Sequence, residues 1–379
     1  MPRLLSMEPL CPYFNNCGGC SSQHIDYPMQ LENKKKALAN AIHFSDIKTV
    51  SGKEYGYRNR MDMIFHSKGL GFRKKEQWKK TADVEKCVIS NERLNLLIKE
   101  IRDFFKEIDY FDVVRHTGTL RYSVIRTPDD DSSISFVLNE KSNRIKEAIE
   151  TIKAFAKKTT ANNIIITYTK PESDTSISED FFVVKGKDML REKYLGKEFI
   201  FPVQSFFQNN SEMAEKMHEH CHNLLKGYDT KNACLLDLYA GVGTFGINNA
   251  ELFKHVTIIE SDRLSIESAN KNIEKNSIQN AKATALDAKY LKRIELPKPL
   301  FIIMDPPRSG MHPKTIEQIN NLKPEAMVYI SCNVNQLGKD LLKFKDYSIR
   351  SAALFDLFPQ TTHSEAVIEL TSKKIAHLP

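Results

Sequence analysis

A cysteine in Tyr329-Ile-Ser-Cys332 and a glutamate in Thr362-His-Ser-Glu365 lie late in the chain, and together they offer a nucleophile and a base for covalent chemistry at a carbon centre. A thiol becomes a useful nucleophile when helix N-terminal amides or a nearby positive charge stabilise its thiolate. Cys332 closes an apolar strand pattern, Met327 to Ser331, and precedes a helix pattern running from about Asn335 to Phe344, so its placement predicts such help. Read alone, a cysteine after a serine at a strand end is also ordinary packing. Asp305-Pro-Pro-Arg308 follows another strand pattern, and its two prolines stiffen the loop so that Asp305 and Arg308 project from a rigid edge. Phe358 to Glu365 forms a polar loop ahead of an apolar final strand, Ala366 to Leu370.

A second constellation lies upstream. Residues 235–246, Leu-Leu-Asp-Leu-Tyr-Ala-Gly-Val-Gly-Thr-Phe-Gly, set a short apolar strand before glycines that let a ligand approach the backbone at a helix N-terminus. Glu260 ends the next strand pattern, about 20 residues on, where a carboxylate can take both hydroxyls of a ribose. Asp287, after the third strand pattern, could reach an adenine amino group. The glycine spacing alone also suits a nicotinamide dehydrogenase. Asp237, four residues ahead of Gly241, favours an S-adenosylmethionine site, where a carboxylate can attract the sulfonium and amino groups.

These residues need a scaffold that lines up strand ends. From Ser211 onward strand and helix patterns alternate: a helix to Leu225, a strand at Ala233 to Leu238, a helix after Gly243, a strand at His255 to Ile259, a helix at Arg263 to Asn276, and strands at Leu300 to Met304 and Met327 to Ile330. Such alternation predicts an α/β, doubly wound, mostly parallel sheet with its ligands at the carboxyl edge. Upstream, paired strands over 54–90, helices at Glu92 to Ile108 and Ser142 to Lys157, and strands at Tyr122 to Arg126, Ser135 to Leu138, Asn163 to Tyr168 and Phe181 to Val184 make an α+β unit. The boundary falls near residues 200–210, which divides the chain into 1–205 and 206–379; residues 23–54 could pack on the second unit.

The 379 residues carry 55 Lys and Arg against 48 Asp and Glu, a net charge of +7. The excess sits in residues 1–205, with 34 basic against 28 acidic side chains. Residues 53–80 hold nine basic and three acidic side chains interleaved with Tyr55, Tyr57, Phe65, Phe72 and Trp78. That mixture suits RNA phosphates and bases, although a solvated basic sheet surface would look the same. No apolar run approaches the roughly 20 residues that span a bilayer, and Met1 to Leu10 lacks a signal core, so a cytoplasmic protein is expected. Seven cysteines, with Cys11, Cys17 and Cys20 bunched, argue in a reducing compartment for metal or catalysis over a disulfide framework.

The ordered motifs resemble the RNA uracil-5-methyltransferase family along nearly the whole chain. They comprise Cys11-x5-Cys17-Gly-Gly-Cys20 with Gln23, His24 and Tyr27, then Arg58-Asn-Arg60, Phe206-Phe-Gln208, the glycine turn, Asp305-Pro-Pro-Arg308, Ser331-Cys332-Asn333, and Phe358 to Glu365. The resemblance implies a Rossmann-like class I S-adenosylmethionine-dependent methyltransferase domain over 206–379, preceded by an iron-sulfur and RNA-binding α+β domain over 1–205. It implies that Cys332 adds to carbon 6 of uracil, that Glu365 removes the carbon 5 proton after methyl transfer, and that Asp305 orients uracil or cofactor. It implies cofactor contacts from Gln208, Tyr239, Thr244, Glu260, Asp287 and Asp305, Tyr239 and Thr244 being variants that the pattern accommodates. It also implies a [4Fe–4S] cluster on Cys11, Cys17, Cys20 and Cys87, with structural zinc as the alternative.

Ten residues precede Cys11, leaving no room for the N-terminal β-barrel that many members of the family carry, so a 23S ribosomal RNA substrate is the expectation, with the tRNA T-loop as the alternative. A monomer is expected. Two readings from other classes are a non-catalytic iron-sulfur RNA-binding protein, which need not keep both Cys332 and Glu365, and an iron-sulfur redox protein, which would carry flavin or nicotinamide.

Overall fold

The computed structural model describes residues 7–373, so most of the segment Met1 to Leu10 read for a signal core lies outside the described residues. The chain opens with α1 (Tyr27–Ile42) and β1 (Ile47–Val50). A meander of β2 (Arg60–His66), β3 (Gly69–Lys74) and β4 (Gln77–Asp83) leads to α2 (Glu92–Phe104). A hairpin of β5 (Leu120–Arg126) and β6 (Ser133–Asn139) is followed by α3 (Ile145–Ala156), β7 (Asn163–Thr169) and β8 (Phe181–Lys185). These strands form a seven-stranded sheet in the order β4-β3-β2-β5-β6-β7-β8, antiparallel except where α3 carries β6 into parallel β7. The ribbon β9 (Met189–Tyr194) and β10 (Lys197–Pro202) leads into α4 (Ser211–Lys226).

The second sheet follows. Its elements are β11 (Cys234–Leu238), α5 (Thr244–Asn248), β12 (His255–Glu260), α6 (Arg263–Lys275), β13 (Ala281–Ala285), β14 (Leu300–Met304), α7 (Pro313–Leu322), β15 (Ala326–Ser331), α8 (Val334–Leu341), β16 (Tyr347–Phe355) and β17 (Glu365–Ser372). The strand order is β1-β16-β17-β15-β14-β11-β12-β13. β11, β14 and β15 are buried along their whole length, as strands covered on both faces must be. β13, β12, β11, β14 and β15 run parallel, and β17 lies antiparallel between β15 and β16.

The structure departs from the sequence reading in several elements. The helix after Gly243 is a single short turn, α2 stops at Phe104 before Ile108, and α3 starts at Ile145 after Ser142. The pattern reading passed over α1, β1, the β9–β10 ribbon, α7 and β16. In α1 the reason is visible: its buried stripe is Gln30, Lys34, Leu38 and Ile42, half polar, so it lacks the apolar repeat of a core helix.

Residues 27–50 join the second sheet although they precede the first. β1 pairs in parallel with β16, from Ile47↔Ala352 to Val50↔Phe355, and α1 packs on α8. The helices meet so closely at Gly338 that a Cβ there would lie 2.2 Å from the Ala41 carbonyl oxygen. Gly338→Ala should therefore lever α1 from α8 and cost about 1–3 kcal/mol, read as a lowered midpoint in denaturant unfolding. An unchanged midpoint would show that α1 is not held by this contact.

Candidate active site

Tyr239, Asp305 and Cys332 follow the carboxyl ends of strands in the second sheet, and Glu365 opens another. Register explains their meeting: Leu238 of β11 stands beside Met304 of β14, and Met304 beside Tyr329 of β15, so Tyr239, Asp305 and Cys332 emerge on one edge. β17 runs the other way, with Ala366 opposite Ser331, and this brings its first residue, Glu365, beside Cys332. A parallel β17 would send Glu365 to the opposite edge of the sheet. Asn333 joins the two loops, its Nδ2 donating to the Arg308 carbonyl at 2.9 Å, and Arg308 Nη2 lies 3.0 Å from His363 Nδ1.

The glycine turn begins with Tyr239 at φ 62°, and Gly241 and Gly243 follow at φ 54° and 85°, in the left-handed region that glycine adopts without penalty. A Cβ at Gly241 would meet nothing within 4 Å, so the backbone there borders open space. Glu260 Oε2 accepts from Gly241 N–H at 3.1 Å, while its Oε1 accepts from the amides of Ser261 and Asp262 at 2.6 and 3.0 Å. Asp237 turns away from the space: it is buried, and its Oδ2 accepts from Gly246 N–H at 2.7 Å. The direct sulfonium contact expected of Asp237 is thus replaced by a structural one, because this carboxylate is committed to the turn.

One cavity of about 1210 Å³ runs along this edge. Gln208, Tyr239, Glu260, Asp287, Asp305, Cys332 and Glu365 all line it, and among the expected contacts Thr244 does not. The volume exceeds that of a usual small-molecule pocket and can take a cofactor together with a base. The turn, the carboxylate at Glu260 and the open space at Gly241 fit a nucleoside-bearing cofactor. Ser261, Asp262 and Leu286, the residues just past the ends of β12 and β13, also line the cavity and were not singled out in the sequence; their strand-end position was the available signal. Phe206, quoted in its motif without a role, is 71% exposed and lines the cavity beside Gln208.

Cys11, Cys17, Cys20 and Cys87 line the same cavity at its other end. The loop bearing the first three drapes over β3, with Gly18 N–H donating to the Arg73 carbonyl at 3.0 Å and Cys17 bridging Lys74. Tyr13 links it to the fourth, its hydroxyl accepting from Glu85 N–H at 3.2 Å. Burial pushes Cys17 up to about 11 and Cys20 to about 12, and neighbouring cysteines, Cys87 among them, add to both. The thiols therefore sense one another's charge. Among the described residues, though, no group of three or more His, Cys, Asp or Glu side chains is drawn together closely enough to hold a metal ion. The basic hairpin adjoins this end, with Trp78 60% exposed, while Arg73 is engaged by Asp174 at 3.2 Å.

Three acidic groups share the chemical end. Burial pushes the Cys332 thiol up to about 11, and Glu365 and Asp305 add to the rise, while Arg308 opposes it. Burial also holds Asp305 up to about 7 and drives Glu365 well above the carboxylate range, with Asp305 adding and Arg308 opposing. Helix amides were expected to stabilise the thiolate; a backbone hydrogen bond at Cys332 does favour it, while two of the amides that follow have partners of their own. Asn333 Oδ1 accepts from Gln336 N–H, and Asn333 N–H donates to Ser331 Oγ, both at 3.2 Å. Burial and the neighbouring Glu365 and Asp305 thus favour the protonated thiol at Cys332.

A model of the family described as tRNA (uracil-5-)-methyltransferase matches residues 26–373. The chain is 32% identical to an uncharacterized RNA methyltransferase of Caldanaerobacter subterraneus subsp. tengcongensis, over 95% of this chain and 84% of that one. It is 30% identical to a tRNA (uracil(54)-C(5))-methyltransferase of Pyrococcus abyssi, over 97% and 86% of the two chains. The crystal structure of the Pyrococcus abyssi tRNA (uracil-54, C5)-methyltransferase in complex with S-adenosyl-L-homocysteine superposes with a TM-score of 0.78 at 29% identity, covering 94% of this chain and 86% of that one.

The charge environment sets the pH behaviour of the free thiol. Because its ionisation is raised to about 11, alkylation of Cys332 by iodoacetamide should keep climbing steeply above pH 10, where an ordinary thiol levels, as followed by peptide mass spectrometry. Asp305→Asn should shift that profile to lower pH, since it removes a negative neighbour, and Arg308→Met should shift it to higher pH. A plateau below pH 8 in the unaltered protein would contradict the arrangement.

Proposed function

The chain belongs to the tRNA (uracil-5-)-methyltransferase family, and from that premise we propose that it methylates carbon 5 of a uracil in tRNA through a covalent adduct on Cys332. It is an S-adenosylmethionine-dependent RNA uracil-5-methyltransferase with a Rossmann-like catalytic fold. The reading of the mechanism rests on one observation above the others: Cys332 and Glu365 face each other across the β15–β17 pairing, in the cavity that the glycine turn also borders. Family membership removes the non-catalytic and redox readings. The ribosomal preference gives way to its alternative, because the named relatives with a stated substrate act on uracil 54 of tRNA. That preference came from the chain start, which carries no information about the RNA that the cavity accepts. No helix among the described residues is long and apolar enough to cross a membrane.

In this reading Gln208, Tyr239, Glu260 and Asp287 hold S-adenosylmethionine, which when bound supplies an electrophilic methyl group. Thr244, set back from the cavity, contributes through the turn. Cys332 gives up its proton to solvent and adds to carbon 6 of uracil as the thiolate, so the carbon 5–carbon 6 double bond opens and carbon 5 becomes an enolate-like nucleophile. Asp305 and Arg308, fixed by the two prolines, orient the ring. Carbon 5 takes the methyl group as that group's bond to the cofactor sulfur breaks; Glu365, in its ionised form, then takes the carbon 5 proton, and expulsion of the Cys332 thiolate restores the double bond. Attack from above the ring requires an unstacked base, which points to a loop nucleotide. The basic hairpin beside the cavity supplies phosphate contacts for it.

Cys11, Cys17, Cys20 and Cys87 are proposed as ligands of a [4Fe–4S] cluster. That all four line one cavity supports the assignment. Residues 1–205 would then combine cluster and RNA binding, and 206–379 catalysis.

Cys332→Ala should lower turnover by roughly 10⁴-fold or more while S-adenosylmethionine binding persists. Glu365→Gln should trap an RNA–protein species on denaturing gels. Mass-spectrometric mapping of 5-methyluridine in RNA from cells with and without the gene should place the loss in tRNA; loss from 23S rRNA alone would overturn the substrate. For the cluster, anaerobically purified protein should be brown with about four irons per chain and lose them on Cys87→Ser. Colourless active protein with one zinc would overturn that assignment.

A further inference from the structure

Among the described residues no hydrogen-bond partner grips the Glu365 carboxyl group, so its position follows from the backbone that carries it. That backbone is the start of β17 and the loop 356–364, and the loop is held by a helix remote in sequence. Lys34 Nζ donates to Asp356 Oδ1 at 2.7 Å and to the Phe358 carbonyl at 3.1 Å. One turn earlier on the same face of α1, Gln30 Nε2 donates to Gln360 Oε1 at 2.9 Å, and Gln30 Oε1 accepts from Gln360 N–H at 3.1 Å. Gln360 sits at φ 67°, and its carbonyl accepts from the amides of Ser21 and Ser22 at 3.1 and 3.0 Å.

All four side chains are buried, with Gln30, Lys34, Asp356 and Gln360 at 3, 6, 0 and 2% exposure. Apolar residues of the same size would pack this interface at no loss of stability, since burying an ion pair and two amides costs their hydration. What the polar set adds is direction: each bond fixes one point of the loop.

We propose that Gln30 and Lys34 are positioning residues for the reaction, fixing the loop 356–364 so that Glu365 stands against the adduct formed on Cys332. The inference rests on the reading of Glu365 as the base. Cys332 hangs from β15, which α1 does not pin through these bonds, so loosening the loop should spare adduct formation and slow adduct release.

The test compares Gln30→Leu, Lys34→Met and Glu365→Gln in the full-length protein, on the RNA in which the methylated uridine is mapped. Turnover should fall by roughly 10- to 100-fold in the first two variants, the scale of an ångström-sized misplacement. Covalent RNA–protein species should accumulate on denaturing gels, with the KM for RNA within about twofold of the unaltered protein. A trapped adduct with Glu365→Gln but none with Gln30→Leu or Lys34→Met overturns the inference, as does unchanged turnover in those two. No trapped adduct with Glu365→Gln overturns the base itself and the inference with it. Should Lys34→Met fail to fold through its unpaired Asp356, Lys34→Met/Asp356→Asn removes that charge, and Gln30→Leu, which changes no charge, carries the test in any case.

Discussion

The antiparallel seat of β17 between β15 and β16 is the constraint on which the rest of the site depends. A wholly parallel sheet would present only residues that follow strands at its carboxyl edge. Reversing one strand adds a residue that precedes a strand, and the register Ser331↔Ala366 makes that residue Glu365, opposite Cys332. The same edge collects the turn after β11 and the loop after β14, so Tyr239, Asp305, Cys332 and Glu365 are brought together by backbone pairing.

That convergence has an electrostatic cost which shapes the chemistry. Burial favours the protonated forms of Cys332, Asp305 and Glu365, acidic neighbours add to this at Cys332 and Glu365, and Arg308 works against it at both of those. A thiol kept neutral at rest is protected from adventitious oxidation and alkylation, which depend on the thiolate. In the proposed reaction the thiol gives up its proton as the uracil ring arrives beside it. The stiffness of Asp305-Pro-Pro-Arg308 and the bond from Asn333 to the Arg308 carbonyl keep the opposing charge in place during that change.

The first fifty residues serve both sheets. The cysteine loop lies against β3 of the first, and α1 and β1 complete the second. A cavity lined by the four cysteines and by Cys332 is therefore walled by both units. Buried polar bonds between α1 and the loop before β17 are the mechanical link between the two ends.

The sequence alone carried the α/β rhythm after Ser211, the glycine turn, and the identity of Cys332, Glu365, Asp305 and Glu260, because these signals are local: apolar runs, fixed spacings, and residue types whose chemistry is intrinsic. Tertiary structure decided what depends on partners distant in the chain. α1 was illegible because Gln30 and Lys34 are buried only by virtue of Gln360 and Asp356, more than three hundred residues away. Asp237 could be read as a cofactor ligand until Gly246 N–H was seen bonded to it, and Cys332 as an activated thiolate until its burial beside Glu365 and Asp305 was seen. Residue type and spacing determine which groups are capable of the chemistry, whereas burial and neighbouring charge, properties of the folded chain alone, determine the protonation and orientation in which they stand.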